Sequence, residues 1–294
     1  MTQLGEKIMK KTISLILLLI LSLNLSGCLK RDSMEDITIY TTNYPSEYIT
    51  KRLYGSFSKV KSIYPDGIDI NNYKLTNKQL NDYSNSDLFI FNGLNNEKNY
   101  VTTMRKNNKK LKIIDATLSM EYENNVEQLW LDPSNFLMMA QNIKTGLNEY
   151  IDSYYLTNKI NENYEKLKIE ASNLDAKMKE VITSANSKNI VVSDNLFNYL
   201  EKYGLKVYSL DEKNSDVNAT YNEVKKMIEK GEIKYIFVKS NENALVKKLQ
   251  SQTNVTVQNW HTLSNLTEIE RSEKKDYFSI MNNNLELLKN ELYK

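Results

Sequence analysis

The chain has 294 residues, enough for one large domain or two ordinary ones, and it carries one Cys and one His. A single cysteine excludes an intrachain disulfide framework, and so few Cys and His side chains leave out zinc sites built from three or four such ligands. With 39 basic against 37 acidic residues, a net +2, the chain lacks the basic excess of a nucleic-acid binder, while 40% hydrophobic residues suffice for a folded core.

Lys7, Lys10 and Lys11 precede an apolar run from Ile13 to Leu25, the layout of a secretory signal and short for a spanning helix of about 20 residues. The run ends Leu25-Ser26-Gly27-Cys28, which resembles the bacterial lipobox. That resemblance implies a signal peptide over residues 1–27 and a lipid on the Cys28 thiol, with a polar tether over residues 28–36. Cleavage would remove three Lys and Glu6, so the 39 basic and 37 acidic residues become 36 and 36. A neutral mature chain would owe its membrane attachment to the lipid alone.

Ile37 to Thr41 alternates as a strand, and Tyr48 to Tyr54 has helical spacing that Gly55 stops. Val60 to Ile63 is a second short strand, followed by the turn Pro65-Asp66-Gly67. A helix over Leu75 to Tyr83 leads into Asp87-Leu88-Phe89-Ile90-Phe91, a compact apolar run of the buried-strand type, and a basic helical stretch leads into Leu111 to Ile114. From Ser153 to Ser184 there is neither Pro nor Gly, and Ile160, Tyr164, Leu167, Ala171, Leu174, Met178 and Val181 step by four and three, which predicts one helix of about 45 Å. Its stripe reads as an interlobe spine, with a coiled-coil oligomerisation helix as the competing reading. Strands then return at Ile190 to Ser193, Lys206 to Leu210, Tyr235 to Val238 and Val255 to Val257. Helices over Phe197 to Tyr203, Tyr221 to Lys230 and Ala244 to Gln250 separate them. This alternation predicts two Rossmann-like α/β lobes, parallel sheets with flanking helices, over residues 37–150 and 188–294, joined by the spine over 151–187.

Several strings, in order across nearly the whole mature chain, are similar to the metal-specific solute-binding proteins of ABC transporters, the ZnuA-like and TroA-like family. Thr41-Thr42-Asn43-Tyr44-Pro45 resembles its first strand and loop, and Pro65-Asp66-Gly67-Ile68-Asp69-Ile70-Asn71-Asn72-Tyr73 its P-x-G-x-D-P-H-x-Y. Ser86 to Gly93 resembles its A-D-L-x-x-x-N-G, and Leu129-Trp130-Leu131-Asp132-Pro133 its V-W-L-D-P. Tyr199-Leu200 and Tyr203-Gly204-Leu205 look like the helix after its third ligand loop, and Asp276 to Leu285 like its closing helix. The resemblance implies a lipid-anchored receptor on the extracytoplasmic face of the cell membrane, acting as a monomer, which delivers one Zn or Mn ion as cargo to an ABC permease.

It also implies where the ion would sit. The family's three His positions fall on Asn71, Gln128 and Asp194, and its usual Asp position on His261. Zinc prefers imidazole and thiolate, whereas amide and carboxylate oxygens suit harder ions, so these four residues predict a weakened or altered metal site. Asp69, Glu127 and Asn195 lie next to the family positions and are candidates for replacement oxygens, although Glu127 reads first as a solvated loop carboxylate. The alternative function is a degenerate surface lipoprotein that uses the scaffold for protein contacts or adhesion, for which 20 tyrosines offer material. An enzyme is not expected: no G-x-S-x-G elbow or P-loop occurs, and a lipidated Cys28 leaves no Cys/His pair.

Overall fold

A computed structural model describes residues 32–94, 97–239 and 243–294. Contacts divide the chain into two compact units, Met1–Glu35 and Asp36–Lys294. The signal segment and Cys28 lie outside the described residues. Both sheets belong to the second unit.

The first half of that unit is a sheet of four parallel strands in the order β2-β1-β3-β4, with β1 at Ile37–Thr41, β2 at Ser58–Ser62, β3 at Leu88–Phe91 and β4 at Lys112–Asp115. All four residues of β3 are buried, as a central parallel strand covered on both faces requires. Helix α1 (Tyr44–Tyr54) starts ahead of the expected Tyr48 because Asn43 caps it: the Asn43 Oδ1 accepts the Ser46 N–H at 2.9 Å, and Pro45 sits in the first turn. Helix α2 (Asn77–Ser84) begins with a reciprocal capping box between Thr76 and Gln79, and α3 (Glu97–Asn107) precedes β4.

Next come two helices outside the expected elements, a short α4 (Gln128–Leu131) and α5 (Pro133–Tyr150), the latter capped by Asp132. Helix α6 (Tyr154–Thr183) is the expected spine, its N-terminus capped by the Ser153 hydroxyl. Every residue of the predicted stripe, from Ile160 to Val181, is buried. The stripe faces this chain's own elements rather than a coiled-coil partner: the helix packs on α1 and α5 and, further along, on the second half of the chain. Polar contacts pin it to both sides, Arg52 to Glu170 in the first lobe and Tyr203 to Asp175 in the second.

The second sheet repeats the first, in the order β6-β5-β7-β8, all parallel, with β5 at Asn189–Val192, β6 at Lys206–Ser209, β7 at Tyr235–Val238 and β8 at Thr256–Asn259. The segment expected as an α-helix over Phe197 to Tyr203 is a 3-10 helix over Asn195–Tyr203, closed by Gly204 at φ 99°, where a side chain would be strained. Helices α7 (Val217–Glu229) and α8 (Ala244–Gln252) flank the sheet, and Val191, Tyr208, Val224, Ile236 and Leu249 meet in its core.

After β8 the chain does not stay with the second sheet. The Tyr44 N–H donates to Ser264 O and the Gly67 N–H to Leu266 O, at 3.1 and 2.8 Å. Two helices remain, the short α9 (Glu268–Ser272) and the closing helix α10 (Tyr277–Leu292). Tyr277, at the head of α10, stacks on Phe136 of α5 with ring centroids 3.8 Å apart and donates its hydroxyl to Trp130 O. The return segment therefore ties the first lobe to the second by backbone and core contacts.

Candidate functional site

In open parallel sheets the loops at the carboxyl ends of adjacent strands diverge where the strand order reverses, and ligands sit in that crevice. The reversal lies between β1 and β3 in one sheet and between β5 and β7 in the other. Asp194 lies in the loop directly after β5, and Lys239 is the first residue after β7. A cavity of about 560 Å³ is lined by Asn71 and Glu127 from the first lobe and by Lys239, His261 and Glu270 from later in the chain. A second cavity of about 310 Å³ is lined by Asp194, Asn195, Asp211 and Lys239. Lys239 is common to both.

The predicted site residues fare differently. Asn71 is exposed in the loop after β2, where its side-chain amide helps to lower the pKa of Glu127. Gln128 is buried, and its Nε2 donates to Asn195 O and Leu196 O at 3.3 and 3.4 Å, so the amide holds the start of the 3-10 helix rather than facing the cavity. The Asp194 carboxylate is doubly engaged: Oδ1 accepts the Leu196 N–H at 2.7 Å as a helix cap, and Oδ2 lies 3.0 Å from Lys239 Nζ. His261 lines the larger cavity, but its ring is engaged at both nitrogens. Nδ1 accepts the Leu263 N–H at 3.0 Å, which places the ring hydrogen on Nε2, 3.0 Å from Glu270 Oε1. Burial pulls the imidazole below its usual pKa against the attraction of Glu270, so it is neutral at pH 7. Among the neighbours, Asp69 caps its own turn, accepting from the Asn71 N–H and the Asn72 amide, and Asn195 exchanges amide bonds with Asn214.

Glu127 is the residue most changed by the fold. It is 4% exposed, not a solvated loop carboxylate, because the Leu129-Trp130-Leu131 run after it drags its backbone into the core. Its Oε2 has no hydrogen-bond partner among the described residues. Burial pushes its pKa above the usual carboxylate range; the Lys239 ammonium and the Asn71 amide pull the other way, while Asp194 adds to the rise. Glu127, Asp194, Lys239 and Asn71 thus form one electrostatic group. Sequence reasoning misses Lys239 and Glu270, although Lys239's place directly after the apolar run Tyr235-Ile236-Phe237-Val238 marks the carboxyl end of a parallel strand. Among the described residues, no three His, Cys, Asp or Glu side chains come together as a site able to hold a metal ion.

The family model described as zinc-uptake complex component A, periplasmic, matches residues 39–291, both lobes and the spine together. The chain belongs to the ZnuA family. It is 27% identical to the zinc-binding lipoprotein AdcA of Streptococcus pneumoniae over 95% of its own length, and spans 60% of that relative. It is 27% identical to the metal ABC transporter substrate-binding lipoprotein ScbA of Streptococcus cristatus, covering 97% of this chain and 100% of that one. The crystal structure of the Zn(II)-bound ZnuA-like domain of Streptococcus pneumoniae AdcA superposes with a TM-score of 0.72 at 25% identity, over 88% of this chain and 100% of the domain. Within the ZnuA family, then, this chain keeps the scaffold while its own cleft presents a neutral His261, the Asn71 amide and a lysine-paired aspartate, with Gln128 turned to the 3-10 helix.

Proposed function

We propose that the chain is a lipid-anchored receptor on the extracytoplasmic face of the membrane, which presents a divalent metal ion to an ABC permease of the metal-uptake class. The observation that carries this reading is the cleft itself: groups at the carboxyl ends of both sheets, Asn71 and Glu127 from one lobe and Lys239 from the other, line one polar cavity. Full-length similarity to a protein named as a metal ABC transporter substrate-binding lipoprotein supports the cargo class and the lipid anchor at Cys28. The donors we assign are the oxygens of Asn71, Glu127 and Asp194, while Gln128 and His261, the other two family positions, brace the walls of the cleft. Oxygen donors of this kind suit Mn²⁺ better than Zn²⁺ and hold either loosely. Nothing in the arrangement calls for bond making, so the chain binds and releases, and it needs no second copy to complete the cleft.

Deleting the gene and measuring cellular Zn and Mn by mass spectrometry under metal limitation tests the reading. The content of at least one of the two ions is expected to fall, to recover with the intact gene and not to recover with Cys28→Ala. Unchanged contents of both ions on deletion would overturn it.

A further inference from the structure

Lys239 has no counterpart among the residues the family resemblance assigns to the site, yet among the described residues it is the one cation that lines both cavities of the cleft. Its ammonium lies 3.0 Å from Asp194 Oδ2, and among the charges acting on Glu127 it is the strongest. The two carboxylates come from different lobes, one just before α4 and one just after β5, and the lysine pairs with the second while acting on the first through space, as a cation held between lobes would. Its stem leaves β7 at the carboxyl edge of the sheet, beside the strand that carries Asp194, so the reach is short and fixed by the β5–β7 pairing. Glu127 meanwhile keeps one oxygen, Oε2, buried and without a hydrogen-bond donor among the described residues, which is the mark of a carboxylate whose partner is incomplete.

We propose that Lys239 is a tethered cation that stands in the cleft in place of a divalent ion, so that an ion can bind only by displacing the lysine from Asp194. The inference rests on the receptor reading and sets the affinity and occupancy of that same site. A monovalent ammonium covers only part of the charge of two carboxylates, which leaves the cleft attractive to a dication, but the ion must meet the repulsion of the lysine or expel it to water. Lys239 is exposed along part of its length, so a solvated alternative position is open to it. The arrangement offsets part of the carboxylate charge of the empty cleft and gives the chain a way to stay folded without cargo.

The test is calorimetric titration of the purified protein with MnCl₂ and with ZnSO₄ at fixed pH and ionic strength, with Lys239→Gln, Lys239→Met and Lys239→Arg beside the wild type and circular dichroism as the check on folding. Lys239→Gln and Lys239→Met, which remove the charge, are expected to tighten binding of at least one ion by about tenfold or more, and Lys239→Arg, which keeps it, to bind as weakly as the wild type. Two uncharged variants keep the test open should one fail to fold. Equal affinity in the wild type and the uncharged variants would overturn the role of Lys239 and leave the receptor reading standing. Absence of binding in all four proteins would overturn it too, because the lysine would then not be what keeps the ion out; the receptor reading stands or falls separately on the cellular metal contents.

Discussion

His261 shows how a residue's neighbours settle its chemistry. Its backbone is held from both sides by the buried Asn284, whose Oδ1 accepts the His261 N–H and whose Nδ2 donates to the His261 carbonyl. The ring fixes Leu263 in turn, a non-glycine residue at φ 60°, by accepting its N–H. Glu270 takes the other ring nitrogen with Oε1 and caps the Thr267 N–H with Oε2. Burial penalises the charged form of Glu270, but the Thr267 bonds and the imidazole outweigh it and hold the carboxylate below its usual range. For His261 the folded pKa lies below the unfolded 6.5, so its neutral form supports folding above about pH 6.5, and that support is lost as the pH falls and the unfolded chain takes up the proton first. Because the chain has one His, a proton NMR titration follows a single imidazole. Its midpoint is expected below 6.5 in the folded protein, and a midpoint at or above that value would contradict the neutral, doubly bonded ring.

At the scale of elements, α5 and β4 meet more closely than any side chain allows. Gly146 lies on the face of α5 that crosses Ile114, and a Cβ built there would come within 2.7 Å of Ile114 Cγ1. Glycine inside a helix costs roughly 1 kcal/mol relative to alanine, which an exposed helix would recover on substitution. Here the methyl group would push Ile114, itself buried in β4, out of its place. Gly146→Ala is expected to destabilise the protein by about 1–3 kcal/mol in a denaturant titration, with the overpacking term larger than the helical gain. A variant more stable than the wild type would show that the two elements have room to separate.

Across the whole molecule, one ion-pair cluster fastens the return segment to the first lobe. Arg271 of α9 makes a two-pronged contact with Glu47 of α1, both bonds 2.9 Å, and its Nε reaches Asp66 at 2.6 Å. Asn265 adds bonds to the carbonyls of Pro65 and Ile68, and the Trp130 ring N–H donates to Thr262 O. Glu47 is almost fully buried, which raises its pKa, but Arg271 and Lys51 more than offset that and hold it below the usual range. A depressed carboxylate stabilises the fold above its unfolded pKa and loses that contribution as the pH drops through the folded value. Acid unfolding is therefore expected to begin below about pH 4.5 from this cluster, and Glu47→Gln to lower stability at pH 7 by about 3 kcal/mol while flattening the acid limb. Coincident acid curves for the variant and the wild type would place the acid-sensitive groups elsewhere. With the lobes fastened by this cluster, by α6 and by the Tyr277–Phe136 stack, adjustment to a ligand falls to side chains such as Lys239 more than to a hinge.

Much of the scaffold is legible in the chain itself. Alternation of short apolar runs with helical spacing locates all eight strands to within two residues or so, and the four-and-three stepping from Ile160 to Val181 fixes the buried face of α6, because periodicity reports which side of an element meets a core. Helix α5 carries the same kind of signal, Asp132-Pro133 as cap and first turn before Phe136, Met139, Ala140, Ile143 and Leu147 at helical spacing, and goes unread when Asp132-Pro133 is taken only as the end of a family string. What the chain cannot declare locally is the pairing of residues far apart along it. Gln128 turns its amide to a carbonyl 67 positions on, Glu127 is carried into the core by the run beside it, and Lys239 finds Asp194 only once β5 and β7 lie side by side. Sequence determined the two-lobe scaffold and the unusual residues at its cleft; tertiary structure decided which of their oxygens and nitrogens are already engaged, since hydrogen bonds and ion pairs depend on distances that only the folded chain sets.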